Sequence, residues 1–218
     1  MNFQIGESTE TIKSSALHFA DTEVKIILAS SSPRRAEILR NAGIAFEIRA
    51  AQIDESALHG ESAQAMVARL AEEKARATAA QMGASASDCI VVGADTTVEL
   101  GGEILGKPRD LADAREMLAK LSGHTHHVLT GIFLLRLSGN ATRAAVEKSA
   151  VTFAALTEKE IDAYALSGEP MGKAGAYAIQ GLAGRFIPNI DGCYFNVVGL
   201  PLARLYALLR ELGWRDSE

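Results

Sequence analysis

Residues 26–39, Ile-Ile-Leu-Ala-Ser-Ser-Ser-Pro-Arg-Arg-Ala-Glu-Ile-Leu, decide how this chain folds. The apolar run Val24–Ala29 predicts a buried strand. Ser32 suits an N-cap, and Pro33 suits the first helical position, where its missing N–H does no harm. The helix is expected to run to about Asn41 and to end at Gly43. A helix start presents unpaired backbone N–H groups and the positive end of the macrodipole. Here it would sit at the end of a buried strand, where α/β sheets gather ligands. Ser30, Ser32, Arg34 and Arg35 around that start complete an anion site, best suited to phosphate.

Outward from this turn, strands and helices alternate. Phe46–Ala50 predicts a second strand, and Ser62–Met82 a long alanine-rich helix closed by Gly83. Cys89–Asp95 predicts another buried strand that delivers Asp95 at its C-terminal end. Val98–Leu100 and Glu103–Leu105 would form a hairpin about Gly101-Gly102. Leu111–Leu121 reads as an amphipathic helix, and His126–Leu137 and Ala144–Leu156 as long strands joined at Gly139-Asn140. Thr157 and Glu160 make a capping box for a helix to about Leu166. Glycine-rich strands and loops follow over Gly175–Phe195, and Pro201 opens a last helix to about Leu212. The expected fold is α/β: a mixed parallel/antiparallel sheet with helices, in two lobes around a cleft. Met1–Glu23 is expected to be a poorly ordered extension, with residues 24–218 forming a single domain.

Composition narrows the function. The chain has 218 residues, 48% of them hydrophobic, enough for a sizeable core. Its net charge of −5 argues against a nucleic-acid partner, so charges that bind a polyanion must be gathered locally. Cys89 and Cys193 stand in no metal-ligand spacing and fit a reducing cytosol. No apolar run approaches the ~20 residues that cross a bilayer, and Met1–Glu23 lacks the order of a signal peptide. A cytoplasmic protein without a membrane partner is expected.

Several residues carry candidate chemistry. Asp95, in Gly-Ala-Asp-Thr-Thr, could hold a divalent metal, act as a base toward water, or simply cap a turn. Gly101 to Lys107 nearly spells a P-loop, but Pro108 stands where Ser or Thr is required and the glycines fall in a hairpin. Lys107 remains a candidate phosphate contact on a stiff turn. Glu55 would complete a hard-metal site with Asp95, although its neighbour Asp54 also suits a surface acidic pair. Lys74 either points into the cleft or pairs along its helix. His124 and His126 share a strand face, without a further ligand at a telling spacing. Gln180, beyond a glycine-flanked alternating stretch, could pair twice with the imide edge of uracil or thymine, or bond to backbone.

Six motifs in order resemble the Maf family of nucleoside triphosphate pyrophosphatases. They are Leu-Ala-Ser-Ser-Ser-Pro-Arg-Arg-Ala-Glu-Ile-Leu, Glu-Lys-Ala-Arg-Ala, Val-Gly-Ala-Asp-Thr, Gly-Lys-Pro-Arg-Asp, Leu-Ser-Gly-His-Thr-His and Lys-Ala-Gly-Ala-Tyr-Ala-Ile-Gln-Gly. The resemblance runs from Ile26 to Leu212. It implies a fold similar to that of inosine triphosphatase, cleavage of a nucleoside triphosphate to monophosphate and pyrophosphate, a divalent cation (magnesium or manganese), and a cytoplasmic protein that is often a homodimer. By the same resemblance Asp95 accepts the proton of water. Arg34, Thr96 and Gln180 match positions tied to substrate choice. Ser30, Arg35, Lys74 and Lys107 match phosphate-side positions, and Glu55 with Asp95 lies at the metal. The last motif looks like the branch that prefers dTTP and UTP, with modified pyrimidine nucleotides a further substrate class. Many members of that branch carry Asp where this chain has Gly172. The alternatives are a 7-methyl-GTP pyrophosphatase and a non-catalytic nucleotide-binding regulator of septation.

Overall fold

A computed structural model of the protein describes residues 24–83 and 88–215. The extension expected over Met1–Glu23 lies outside the described residues. In chain order the elements are β1 (Lys25–Ala29), α1 (Pro33–Asn41), β2 (Glu47–Ile48), α2 (Ala63–Met82), β3 (Cys89–Leu100), β4 (Glu103–Leu105), α3 (Leu111–Leu121), β5 (Thr125–Arg136), β6 (Ala141–Thr152), α4 (Glu158–Leu166), β7 (Asn189–Asp191), α5 (Tyr194–Val198) and α6 (Leu202–Glu211). The seven strands form one sheet in the order β2-β1-β3-β5-β6-β7, with β4 also paired to β3. β1 pairs in parallel with β2 and β3, and the other pairings are antiparallel. The mixed α/β sheet expected from the sequence is therefore the fold.

The central strand β3 makes the cleft. One of its edges pairs with β5 from Ile90 to Glu99. The other edge is shared: β1 runs beside Cys89–Gly93, and β4 runs beside Val98–Leu100. Between those two partners, Ala94–Thr97 have no strand on that side among the described residues. The strand breaks its partnership there without breaking its course, and Asp95 and Thr96 sit in the gap.

Two apolar cores flank the gap. One gathers Ile26, Leu28, Leu39, Ile90, Leu209 and Trp214 from β1, α1, β3 and α6 with its following turn. The other gathers Val98, Leu118, Phe153, Tyr164 and Phe186 from β3, α3, α4 and the chain around them. β3 and β5 run through both, so the two lobes share one sheet. Helix α2 covers the opposite face, where Ala71 and Ala75 pack on Val91 and Phe133. Two glycines let it lie that close. A Cβ at Gly93 would fall 2.0 Å from the carbonyl oxygen of Ala71, and one at Gly131 would fall 2.2 Å from that of Val67. Non-bonded atoms cannot approach so closely, so α2 meets bare sheet backbone at both points.

Four expectations need correction. Asp95 is not at a strand end: β3 continues to Leu100, because Thr96 and Thr97 are β-branched and pair with β5 at Thr130 and Leu129. The Gly175–Phe195 region holds little strand. It forms two 3₁₀ turns, Ala174–Ala176 and Leu182–Phe186, before the three-residue β7, since Gly175 sits at φ +67° and takes the chain out of extended geometry. The strand predicted over Phe46–Ala50 shrinks to Glu47–Ile48. Ser32 holds the N-cap position of α1, but its side chain caps nothing; instead its N–H donates to Ser30 Oγ at 3.3 Å. The capping box of α4 forms as predicted, with both Thr157 and Glu160 engaged.

Candidate active site

The nine residues that the family resemblance singles out, Ser30, Arg34, Arg35, Glu55, Lys74, Asp95, Thr96, Lys107 and Gln180, line one cavity of about 900 Å³, and Ser32 lines it with them. They come from six separate stretches of chain. The gap in β3 explains how that is possible. Successive strand residues face opposite sides, so Asp95 turns toward α2 while Thr96 turns toward α1. Because no strand among the described residues lies beside them on that edge, both remain in reach of the same space.

The α2 side holds the charge chemistry. Its buried stripe is Val67, Leu70, Ala71, Lys74, Ala75 and Thr78, so Lys74 is the one charged residue on an otherwise apolar or hydroxyl face. Its ammonium lies 2.7 Å from Asp95 Oδ1 and 2.6 Å from Glu55 Oε1. Lys74 therefore points into the cleft and does not pair along its helix. Asp95 and Lys74 are both buried. Glu55 is more exposed and also receives Lys107 Nζ at 2.9 Å. Partial burial raises the Glu55 carboxyl, but hydrogen bonds from Lys74 and Lys107 outweigh it and hold the group at about 2. The chain Asp95–Lys74–Glu55–Lys107 thus alternates in sign across the cavity mouth.

The α1 side holds the hydroxyls. Arg35 is buried, with Nη1 donating to Ser30 Oγ at 2.9 Å, Nη2 to Thr96 Oγ1 at 3.0 Å and Nε to the Gly199 carbonyl at 2.8 Å. Three of its five N–H groups therefore fix the turn after β1 against β3. Thr96 Oγ1 further meets Thr130 Oγ1 at 2.9 Å, and Thr130 donates to the Asn196 carbonyl at 3.0 Å. Arg34 is different. It is half-buried, its Nε is enclosed with no hydrogen-bond partner among the described residues, and burial pulls its guanidinium below the usual range. An enclosed cation with an unanswered donor calls for a ligand.

The third wall is the irregular chain from Glu169 to Gly181. Gln180 is exposed at its rim and Gly172 lies on it at φ +73°. Gly175 N–H donates to the Gly106 carbonyl at 3.0 Å, which ties this wall to the turn carrying Lys107. Glu169 and Lys173 also line the cavity. Sequence reasoning assigned neither a role, although Lys173 opens the motif that contains Gln180. The two candidate histidines are elsewhere. His126 is buried between Phe153 and Tyr177, with Nε2 at 2.8 Å from the Tyr177 hydroxyl, and burial lowers it to about 4. His124 Nδ1 bonds the Ser122 carbonyl.

The family model for Maf-like proteins matches residues 25–212. The chain belongs to the Maf family. A dTTP/UTP pyrophosphatase of Anaeromyxobacter sp. (strain Fw109-5) is 50% identical to this Maf chain over 192 residues, covering 87% of this chain and 90% of that one. A dTTP/UTP pyrophosphatase of Symbiobacterium thermophilum is 48% identical over 190 residues, covering 87% and 95%. Among solved structures, a nucleoside-triphosphatase / dITP/XTP pyrophosphatase from Mycobacterium abscessus aligns over 61% of this chain and 76% of that one, at 16% identity and a TM-score of 0.34. That score is too low to add to the assignment.

Proposed function

We propose that this protein hydrolyses dTTP and UTP to the nucleoside monophosphate and pyrophosphate, with modified pyrimidine triphosphates as further substrates, as a house-cleaning enzyme of the nucleotide pool. The observation that carries the proposal is the buried Asp95–Lys74 pair in the gap of β3, at 2.7 Å, opening on a cavity edged with further cations. A binding protein for a polyanion gains nothing from a buried carboxylate beside it; a hydrolase needs one for water. The naming of the relatives as dTTP/UTP pyrophosphatases supports the substrate class.

In this proposal the triphosphate lies along Ser30 and the start of α1. Arg34, Lys74 and Lys107 offset its charge, and Arg35 holds Ser30 and Thr96 in place. Asp95 accepts a proton from water as the new oxygen–phosphorus bond forms at the α-phosphorus. The bond from that phosphorus to the α–β bridging oxygen breaks, and pyrophosphate leaves with the electron pair. Charge building on the phosphoryl oxygens is met by cations already in position, which is where most catalysis of this type originates. Gln180, Arg34 and Thr96 set the choice of base.

The donor set suits a divalent cation. Among the described residues no three acidic, histidine or cysteine side chains form a closed metal cluster. Glu55 and Asp95 do converge on one positive centre, the Lys74 ammonium. Magnesium is usually held by one or two carboxylates together with substrate phosphates, so these two residues would hold magnesium or manganese carried in with the nucleotide. When bound, such an ion supplies charge neutralisation at the phosphates and makes pyrophosphate a better leaving group. Lys74 would then shift its bonds toward phosphate oxygens.

Release of pyrophosphate from UTP, dTTP, CTP and 7-methyl-GTP, each with and without magnesium, tests the proposal. Turnover of UTP and dTTP ahead of the other two, dependent on the metal, is expected. Turnover of 7-methyl-GTP alone, or binding of UTP without pyrophosphate release, would overturn it.

A further inference from the structure

The wall that carries Gln180 contains only a short 3₁₀ turn, yet the side chain at its start, Glu169, is bonded to the backbone just past its end. Glu169 Oε1 accepts from the Tyr164 hydroxyl at 2.8 Å and from Ala183 N–H at 3.4 Å, and Oε2 accepts from Leu182 N–H at 2.9 Å. Tyr164, buried in the core, receives Ala178 N–H on the same hydroxyl at 3.2 Å. Ala178 and Leu182 bracket Gln180. The intervening Gly181 leaves room for the carboxylate, since a Cβ there would fall 2.3 Å from Glu169 Oε2. The backbone carbonyl of Glu169 in turn accepts from the Lys173 ammonium, which lines the same cavity. These bonds join a core tyrosine, a carboxylate and the rim of the site into one network.

Resting on the functional proposal above, we propose that Glu169 is a positioning residue for base selection: it fixes the turn that presents Gln180, and with it the order of donor and acceptor that the base meets. The imide edge of uracil or thymine offers one N–H between two carbonyl oxygens, whereas cytosine offers an amino group and a bare ring nitrogen. A glutamine amide has one donor end and one acceptor end. Held in one orientation, it accepts one of these patterns and opposes the other. On a loose turn it swings, serves both, and the preference is lost.

Glu169→Gln breaks the network at a defined point. An amide cannot accept at both of its ends, so either Leu182 N–H meets an NH₂ group or the Tyr164 hydroxyl loses its acceptor. The ratio of kcat/KM for UTP over CTP should fall about tenfold, the scale of one well-placed hydrogen bond. The inhibition constant of inorganic triphosphate, which has no base, should stay at the wild-type value. Tyr164→Phe keeps the ring in its core and removes only the hydroxyl, and should lower the same ratio by a smaller factor; it decides the matter if Glu169→Gln fails to fold. A folded variant that keeps the wild-type ratio, or one in which triphosphate inhibition weakens in step with UTP, overturns the proposal alone. A wild-type protein that turns over neither UTP nor dTTP overturns the functional proposal and this one with it.

Discussion

Two of the three walls of the cavity are built on opposite plans. The wall formed by α2 and β3 places Asp95 and Lys74 on long regular elements, buried, with the helix pressed against glycine backbone at Gly93 and Gly131. The wall from Glu169 to Gly181 is irregular chain, organised around one carboxylate and one buried hydroxyl. The first plan fixes reacting groups to the tolerance of a packed core. The second leaves a surface whose geometry depends on few bonds. Proposed chemistry sits on the rigid wall, and Gln180, one of the three residues proposed to choose the base, on the adjustable one, so changes around Asp95 and Lys74 should abolish turnover and changes around Gln180 should redirect it.

The largest expected effect is at Asp95. Asp95→Asn keeps the shape and leaves Lys74 its bond to Glu55, but removes the proton acceptor, and kcat should fall about 10²–10⁴-fold. A rate near wild type in a steady-state assay would refute the assigned role. Lys74→Met should lose comparable activity and also stability, because it strands a buried carboxylate; breaking a buried pair in this way costs about 3–5 kcal/mol. Urea unfolding of the two variants separates them, with Asp95→Asn the more stable. Stabilities of both variants equal to that of the wild type would show that the pair matters to chemistry alone.

Next comes the contact that brings the pair together. Gly93→Ala drives a methyl group into the Ala71 carbonyl, and should cost about 1–3 kcal/mol and much of the turnover as α2 lifts Lys74 away from Asp95. Gly106→Ala, which meets nothing within 4 Å, is the control and should change little. The smallest effect is at the exposed Glu55. Its folded carboxyl lies at about 2 against an ordinary 4.5, so its contribution to stability is whole above pH 4.5 and is lost as the pH falls toward 2. Glu55→Gln should lose less stability than wild type over that window in thermal unfolding, by a small margin because the group is partly exposed. A wild-type acid limb that the variant reproduces would show that the two lysine bonds contribute nothing.

Much of this was legible in the sequence because it is local. An apolar run, a serine turn and Pro33 suffice to predict β1 followed by α1, and Thr157 with Glu160 predicts the start of α4. The limit of β3 is not legible locally, because the long partner β5 carries the pairing through Thr96 and Thr97. Lys74 left a usable trace: it falls in the helical stripe with Val67, Leu70 and Ala71, where a lysine is out of place unless something answers it. Glu169 left almost none, since its three partners are backbone and hydroxyl groups that any sequence could supply.

By itself the sequence determined where α1, α2, α3, α4 and α6 lie and which cationic and acidic residues are available, because each follows from the properties of neighbouring residues. Only the tertiary structure decided that β1 and β4 share one edge of β3 and leave Asp95 and Thr96 open between them. It also decided that Lys74 meets Asp95 across 21 positions of chain, and Arg35 meets Gly199 across 164. Such contacts are fixed by how sheet and helices pack, which depends on all of the buried surface at once and is written at no single position.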